Sequence, residues 1–223
     1  MDLTTNPAEM ILAYVILVLS VGMHEAAHAK IAKLFGDTQP AQDGFDTWNP
    51  IPHIKRSLFT CVLLPAITWF TGQFFMGGAY VRLNPANMKP QRLGYAASVA
   101  AGPLMNLVLS GLFLVLSVAI ALITKNPTSS AVFTLLYVGG FNLIMFIFNL
   151  LPVPPLDGSS IITAIFPQTT EVFRRMGSIG FLALFMLLSF SREAAEIIFY
   201  PFTQYMMLAF KIIVSIMGEN ILM

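Results

Sequence analysis

Long apolar runs, separated by short polar stretches, make up most of this chain. The first run, from Met10 to about Phe35, carries no charge before Glu25. The other runs are 94–123, 131–151, 177–190 and 195–217. A helix needs about 20 mostly apolar residues to cross a bilayer, and it pairs its own backbone polar groups there. The pattern therefore predicts an all-α membrane protein, a polytopic helical bundle of five or six transmembrane segments.

Two segments between the first two core helices break this pattern. Residues 37–56 are polar and are interrupted by proline and glycine, so we expect a loop or short strands at the membrane surface. Residues 57–79 are largely apolar but contain Pro65 and the pair Gly77-Gly78. Irregular backbone is tolerated at membrane depth where it lines a cavity or is buried in protein. We expect 57–79 to be a re-entrant segment, which dips into the membrane and returns on the same side.

The basic residues predict an orientation in the membrane. If 57–79 is re-entrant, one side receives Lys30, Lys33, Lys55, Arg56, Arg82, Lys89, Arg92, Arg174 and Arg175. The other side receives Lys125 and Arg192. Because cytoplasmic loops are enriched in Lys and Arg, this distribution predicts an external N-terminus, five true crossings and a cytoplasmic C-terminus.

Composition supports the membrane class and excludes several others. Of the 223 residues, 57% are hydrophobic and 10% are charged, far from the values of soluble domains. A net charge of +1 argues against a nucleic-acid partner, and the single cysteine, Cys61, provides neither a disulfide framework nor a thiolate metal site. Without a long polar stretch to separate domains, we predict one domain in contact with membrane lipid over 1–223, with a core at 10–158 and accessory C-terminal helices at 159–223.

The first apolar run contains an H-E-x-x-H pattern, His24-Glu25-Ala26-Ala27-His28. Residues four apart lie on one face of a helix, so both imidazoles can hold one zinc ion while Glu25 takes a proton from water. A structural cluster that arose by chance is the alternative. Ionisable groups inside a membrane span are costly and are usually functional, so the pattern predicts a metal site within the membrane.

A third ligand is expected after the run that ends near Leu151. There the chain reads Asn149-Leu-Leu-Pro152, and Leu156-Asp157-Gly158 follows. A catalytic zinc takes three protein ligands and keeps one position open, which makes the Asp157 carboxylate the predicted third ligand. The alternative is that Asp157 caps the next helix at its N-terminus.

Two further polar residues have open roles. Asn106 lies in an apolar run, where we expect it to hydrogen-bond to a neighbouring helix. His53 lies in the polar segment 37–56 and is the only histidine outside the H-E-x-x-H pattern. It either helps to hold the substrate or the oxyanion, or is a solvated loop histidine.

With these residues, the chain resembles the site-2 protease family of intramembrane zinc metalloproteases. The resemblance rests on three motifs in the family's order, over residues 24–158: His-Glu-x-x-His, Ala101-Gly102-Pro103 with Asn106, and Asn149-x-x-Pro152 leading to Leu156-Asp157-Gly158. The segment Asn49-Pro50-x-x-His53 is similar to a loop of compact members without a PDZ domain. Those members usually continue His-Ile-Asp where this chain has His53-Ile54-Lys55.

The resemblance implies an activity and the residues that perform it. The activity is zinc-dependent hydrolysis of a peptide bond in or near a transmembrane helix of a membrane protein substrate. It implies one Zn²⁺ per chain held by His24, His28 and Asp157, Glu25 as the catalytic base, Asn149 as a polar group close to the metal, and a role for His53. We expect the plasma membrane of a prokaryote, with the site toward the cytoplasm.

Three other functions share part of this pattern. A zinc transporter or a catalytically inactive homologue would also keep the metal ligands. Other membrane H-E-x-x-H proteases usually take their third ligand from a glutamate on a later helix. The glutamates available here stand in no comparable metal pattern: Glu171, Glu193, Glu196 and Glu219. The oligomeric state stays open.

Overall fold

The computed structural model describes residues 6–56, 58–63, 65–67 and 81–221, and within these residues it is helical with no strand. This confirms the all-α class. The longer helices are α1 (Pro7–Leu34), α2 (Gln39–Gln42), α3 (Pro50–Arg56), α4 (Gln91–Thr124), α5 (Ser130–Asn149), α6 (Asp157–Ile165), α7 (Thr170–Phe190) and α8 (Arg192–Ile221). A π-helical turn, Phe59–Leu63, and 3-10 turns, Pro85–Asn87 and Pro167–Thr169, lie between them.

Local sequence explains where the long helices begin and end. The side chain of Asn6 accepts a hydrogen bond from the Ala8 N–H and Pro7 follows it, which is a favourable helix start. Ser129 caps α5 by accepting from the Val132 N–H. At the other end of the α4–α5 connection, Lys125 terminates α4 in the left-handed conformation, at φ 52°.

Four helices are long and apolar enough to cross a membrane: α1, α4, α5 and the part of α8 from Arg192 to Gly218. A fifth candidate is a bent pair, Pro167–Gly177 and Ile179–Phe190, whose two halves meet at 66°. The bend falls at Gly177, which has φ 47° and ψ −145° inside α7. The described helices thus provide four or five spans, against the predicted five or six.

The direction of α8 corrects the predicted topology. Near its start, Phe202 packs on Gly140 of α5, where an added Cβ would lie 2.7 Å from the Phe202 ring. Further along, Phe210 stacks on Phe133, with ring centroids 5.6 Å apart. Met217 then packs in a cluster with Ala121, near the end of α4. Thus α8 runs antiparallel to α5 and ends at the level of Lys125.

This direction disagrees with the predicted cytoplasmic C-terminus and with a fifth crossing before it, whereas the described helices provide four or five candidate spans. The α7 helix follows α6 after a short connection, and its middle stays near the end of α5, because Gly180 lies against Val153, 3.4 Å from a built Cβ. Since α8 starts at that same end, α7 begins and ends on one side of the bundle. In this arrangement the candidate spans are α1, α4, α5 and α8, and Arg192 lies on the same side of the bundle as the other basic residues.

The described flanks of the segment between α1 and α4 lie at different levels of the bundle. The Tyr14 hydroxyl donates to the Val62 carbonyl at 2.6 Å, which places Val62 near the N-terminal end of α1. The Asn84 N–H donates to the Asp37 carboxylate at 2.7 Å, which places Asn84 at the C-terminal end. Both flanks thus fit the predicted re-entrant segment, although 57, 64 and 68–79 lie outside the described residues. The loop or strands predicted at 37–56 are instead the short helices α2 and α3.

We expect cysteine labelling to reproduce this four-span topology. Single cysteines at the exposed positions Thr38, Lys89 and Glu193 should react from one side of the membrane in a Cys61→Ala background. Cysteines at Thr128 and Gly218 should react only from the other side. Labelling with an impermeant maleimide in intact cells and in inverted vesicles measures this. If the cysteine at Gly218 reacted together with that at Thr38, the antiparallel packing of α8 would be refuted.

Candidate metal centre

Three metal-ligating side chains meet between α1 and the start of α6. His24 and His28 lie on one face of α1, 6% and 5% exposed, with their Nε2 atoms 3.0 Å apart. The Asp157 Oδ2 atom lies 3.2 Å from His24 Nε2 and 3.5 Å from His28 Nε2. Within the described ranges this is the one group of three His, Cys, Asp or Glu side chains that could hold a metal ion.

The donor geometry fits a single zinc ion. Bonds of about 2.0–2.1 Å in a tetrahedral site put neighbouring donors about 3.3 Å apart, close to all three separations observed. The Asp157 Oδ2 atom is also buried without a hydrogen-bond partner. A buried carboxylate oxygen normally has a partner, and a cation between the three donors would provide one. Two imidazoles and one carboxylate are the donor set of a zinc site with an open position.

Asp157 is held in place by the tight turn that follows α5. Asp157 is the first residue of α6, and Leu156 occupies the N-cap position. Its neighbour Gly158 has no space for a side chain, because an added Cβ would lie 2.5 Å from the Leu151 carbonyl oxygen. The alternative that Asp157 is an N-cap is therefore wrong, and its carboxylate turns to the two histidines.

Residues of helix α4 contact the Nδ1 atoms of both histidines. His28 Nδ1 donates to the Ser98 carbonyl at 2.8 Å, which leaves the lone pair of Nε2 free for a metal. His24 Nδ1 lies 2.5 Å from Asn106 Oδ1. The predicted interhelical hydrogen bond of Asn106 is thus confirmed, and its partner is one of the candidate ligands.

Gly102 lets α4 approach the two imidazoles. A Cβ built at Gly102 would lie 2.6 Å from His24 Nε2 and closer still to His28 Nε2. Any side chain there would thus occupy the place of the metal or displace its ligands. A proline follows it, Pro103 inside α4, which removes one backbone N–H from the helix.

We therefore expect Gly102→Ala to abolish stoichiometric zinc binding. The added methyl group would overlap both Nε2 atoms, and a close-packed interior yields little. Gly111→Ala is the matched control on the same helix, because a Cβ there meets nothing within 4 Å. Zinc content of the purified variants by mass spectrometry decides. One zinc per chain in Gly102→Ala would show that the helices can separate without loss of the site.

Glu25 lies beside the metal ligands and is 5% exposed. Its carboxylate accepts a hydrogen bond from the backbone of Val81, in the extended segment that leads to α4. Val81 itself packs against Ala29 and Phe45. The backbone that leads into α4 therefore reaches the H-E-x-x-H helix at the position of its glutamate.

The other two predicted site residues are hydrogen-bonded to backbone carbonyls. His53 is fully buried in α3, so the solvated alternative is wrong. Its Nε2 donates to the Thr47 carbonyl at 3.0 Å, whereas its Nδ1 has no partner among the described residues. Asn149, the last residue of α5, donates to the Met145 carbonyl at 3.0 Å. Within the described ranges, neither side chain hydrogen-bonds to His24, Glu25, His28 or Asp157.

Sequence reasoning missed three contributors to the centre. Asn142 hydrogen-bonds to Asn106. Its position is visible in the sequence, because a polar amide in an apolar membrane run is usually functional. The contacts of Ser98 and Val81 are made by backbone atoms, so no pattern of side chains in the sequence predicts them.

Comparisons with known proteins agree with this geometry. The family model described as Peptidase family M50 matches residues 118–191. A Bacillus subtilis protein named "Putative zinc metalloprotease YwhC" is 32% identical over 77% of this chain and 77% of its own length. A Mycolicibacterium smegmatis protein named "Putative zinc metalloprotease Rip2" is 29% identical over 89% of this chain and 77% of its own length. No solved structure matches the chain.

Proposed function

Because this chain belongs to peptidase family M50, the site-2 protease family, we propose that it cleaves a membrane protein substrate within or near a transmembrane helix, with one zinc ion as cofactor. The observation that carries the proposal is the His24, His28 and Asp157 donor set, buried beside Glu25. His24 lies about 15 Å from the C-terminal end of α1 at 1.5 Å per residue, inside the hydrocarbon core. The domain is proposed to extend over 1–223.

Each residue of the centre has a defined task in this proposal. Zinc bound there would act as a Lewis acid and supply an activated water. The Glu25 carboxylate takes the proton of that water and passes it to the leaving amine. The Val81 N–H, by hydrogen-bonding to Glu25, holds its carboxylate in position. The Ser98 carbonyl fixes the His28 ring, so that Nε2 points to the metal.

The burial of the centre limits the substrates that can reach it. In a transmembrane helix every backbone group is already paired, and a scissile carbonyl is covered by the helix itself. The substrate helix must therefore unwind locally before hydrolysis. Glycine and proline weaken a helix, so substrates with these residues near the cut should be preferred.

The hydrogen bonds of Asn149 and His53 leave each side chain a polar group for a supporting role in substrate or oxyanion binding. Asn149 ends the helix that leads to Asp157, and only one of its amide hydrogens is used by Met145. His53 packs beside Gly22, 3.8 Å from a built Cβ, two residues before the first ligand. While its Nε2–H donates to Thr47, the Nδ1 atom of His53 is an acceptor and suits a substrate N–H, whereas only the doubly protonated ring could donate from it to an oxyanion.

We expect His53→Ala to retain zinc and to cleave more slowly, by about a hundredfold to a thousandfold if an oxyanion contact is lost. His53→Gln is the matched control, because its amide N–H can still donate to the Thr47 carbonyl. Cleavage rates with a reconstituted substrate, together with thermal unfolding of both variants, distinguish a role in substrate binding from a role in stability. Unchanged cleavage in His53→Ala would remove this residue from the site.

The charge distribution supports a cytoplasmic position of the centre. Of the 12 Lys and Arg residues, all but Lys125 and Lys211 lie toward the metal end of the bundle. Cytoplasmic faces carry this excess of basic residues. We therefore propose that the protein resides in a prokaryotic plasma membrane, with its centre toward the cytoplasm.

Sequencing of protein termini tests the function even while the substrate is unidentified. Membranes of cells with the native chain should contain new termini inside predicted transmembrane segments, which are absent when the chain is deleted. New termini restricted to soluble segments would contradict the proposal. A transporter would instead change zinc flux into vesicles without new termini.

A further inference from the structure

A buried chain of polar side chains connects α5 to the candidate metal centre. Asn142 on α5 and Asn106 on α4 are both fully buried. Asn142 Nδ2 donates to the Val138 carbonyl at 3.0 Å, and Asn106 Nδ2 donates to Asn142 Oδ1 at 3.0 Å. Asn106 Oδ1 then lies 2.5 Å from His24 Nδ1. A side branch runs from Asn142 Nδ2 to Ser20 Oγ at 3.1 Å.

The Val138 carbonyl gives this chain a direction. A carbonyl oxygen only accepts, so the Asn142 atom that faces it must be the amide nitrogen. The Asn142 oxygen then faces Asn106, which must present its own nitrogen there and its oxygen to His24. An oxygen acceptor at that place requires a proton on His24 Nδ1. The Nε2 atom of His24 is left with its lone pair toward His28 and Asp157.

We propose that Asn142 is a positioning residue of the metal centre, which fixes the tautomer and ring orientation of His24 through Asn106. This inference rests on the proposed function only in taking His24 as a zinc ligand. Without Asn142, the Asn106 amide can rotate by 180° and present its NH₂ group to His24. The proton of His24 then moves to Nε2, and the atom that should bind the metal is blocked.

The burial of the amide distinguishes this role from simple packing. Asn142 lies among apolar residues of a membrane-spanning helix, where a leucine would fill space without polar groups to satisfy. A buried amide costs free energy unless its groups are paired. The pairing here serves both α4 and α1. If Asn142 served only to pack the helices, losing its hydrogen bond to Ser20 should affect the centre as much as losing its hydrogen bond to Asn106. In the positioning role, only the hydrogen bond to Asn106 affects His24.

The zinc dissociation constant tests the proposal, measured by competition with a chromophoric chelator. Asn142→Leu should weaken zinc binding about tenfold to a hundredfold, the usual effect of losing an outer hydrogen bond to a metal-bound histidine. Ser20→Ala is the matched control and should bind zinc like the native chain. Asn142→Ala, which removes the amide without added bulk, is measured as well in case the leucine variant does not fold.

A second variant isolates the path through Asn106. In Asn106→Asp, a carboxylate accepts the His24 Nδ1 proton in either orientation, so adding Asn142→Leu should cost no further zinc affinity. Nitrogen-15 NMR of histidine-labelled, zinc-free protein should show the Nδ1–H form of His24 in the native chain and in Ser20→Ala, and its loss in Asn142→Leu. Native zinc affinity in both Asn142 variants would overturn the proposal. An equal loss with and without Asn106→Asp would also do so.

Discussion

Replacement of Glu25 by glutamine is expected to leave zinc bound and to slow peptide-bond cleavage by about a hundredfold to ten-thousandfold, the usual contribution of a general base. The amide has nearly the shape of the carboxylate, and its oxygen can still accept the hydrogen bond from Val81. It cannot take a proton from water. Zinc content and the cleavage rate of a reconstituted single-span substrate measure the two effects separately.

A second glutamate on the same helix provides the control. Glu9 lies in the first turn of α1, far from the ligands, and Glu9→Gln should keep both zinc and the native rate. Native cleavage in Glu25→Gln would require another base. Loss of zinc in that variant would make Glu25 a ligand. If neither the native chain nor Glu25→Gln cleaved the substrate, and both carried zinc across vesicle membranes, the transporter alternative would be preferred.

The second large effect is expected for Asp157→Ala, which should weaken zinc binding by roughly a hundredfold to a thousandfold. Four-ligand zinc sites bind with about 10–16 kcal/mol, and each ligand accounts for about a quarter of this. His24→Ala and His28→Ala should lose zinc in the same way. Zinc affinity by chelator competition measures the effect.

Asp37→Ala is the matched control for the loss of a buried carboxylate. Asp37 is fully buried and accepts hydrogen bonds from Asn84 N and Asn87 Nδ2, which lie in the segment between Val81 and α4. Its replacement should lower stability and keep one zinc per chain, because the ligands remain. Full zinc occupancy in Asp157→Ala would mean that the third ligand lies elsewhere in the chain.

The group of candidate metal ligands could be predicted because the information is local. A four-residue step on a helix brings His24 and His28 together whatever the rest of the chain does. The donor set of a catalytic zinc then required a third ligand, and the carboxylate of Asp157 follows directly after the apolar run that ends near Leu151. Gly102 could not be placed in this way. Its contact with both imidazoles depends on how closely α1 and α4 cross, which no short pattern records.

The short helices α2 and α3 were not predicted because proline was read only as a helix breaker. Pro50 is the first residue of α3, and Pro40 lies in the first turn of α2. At these positions proline loses no helical hydrogen bond, and its fixed φ favours the helix start. His53 is therefore carried on a helix and buried, rather than exposed on a loop.

The direction of α8 was missed because hydropathy counts spans and does not detect a helix that turns back. The composition of α7 resembles that of a span, but Gly177 bends it at a positive φ. The direction of α8 is determined by non-local contacts. Phe202 and Tyr205 pack against the backbone of α5 at Gly140 and Gly139, where no side chain intervenes. Close approach at small residues is a common basis of helix packing in membranes.

In the proposed function, zinc at His24, His28 and Asp157 drives cleavage of a membrane protein. The most direct test is cleavage of a transmembrane substrate in liposomes by purified protein, first stripped of metal and then titrated with zinc. We predict no fragments from the stripped protein, and full recovery of cleavage, with the cut in or near the substrate helix, at one zinc per chain. The same fragments at the same rate from zinc-free protein would contradict the account.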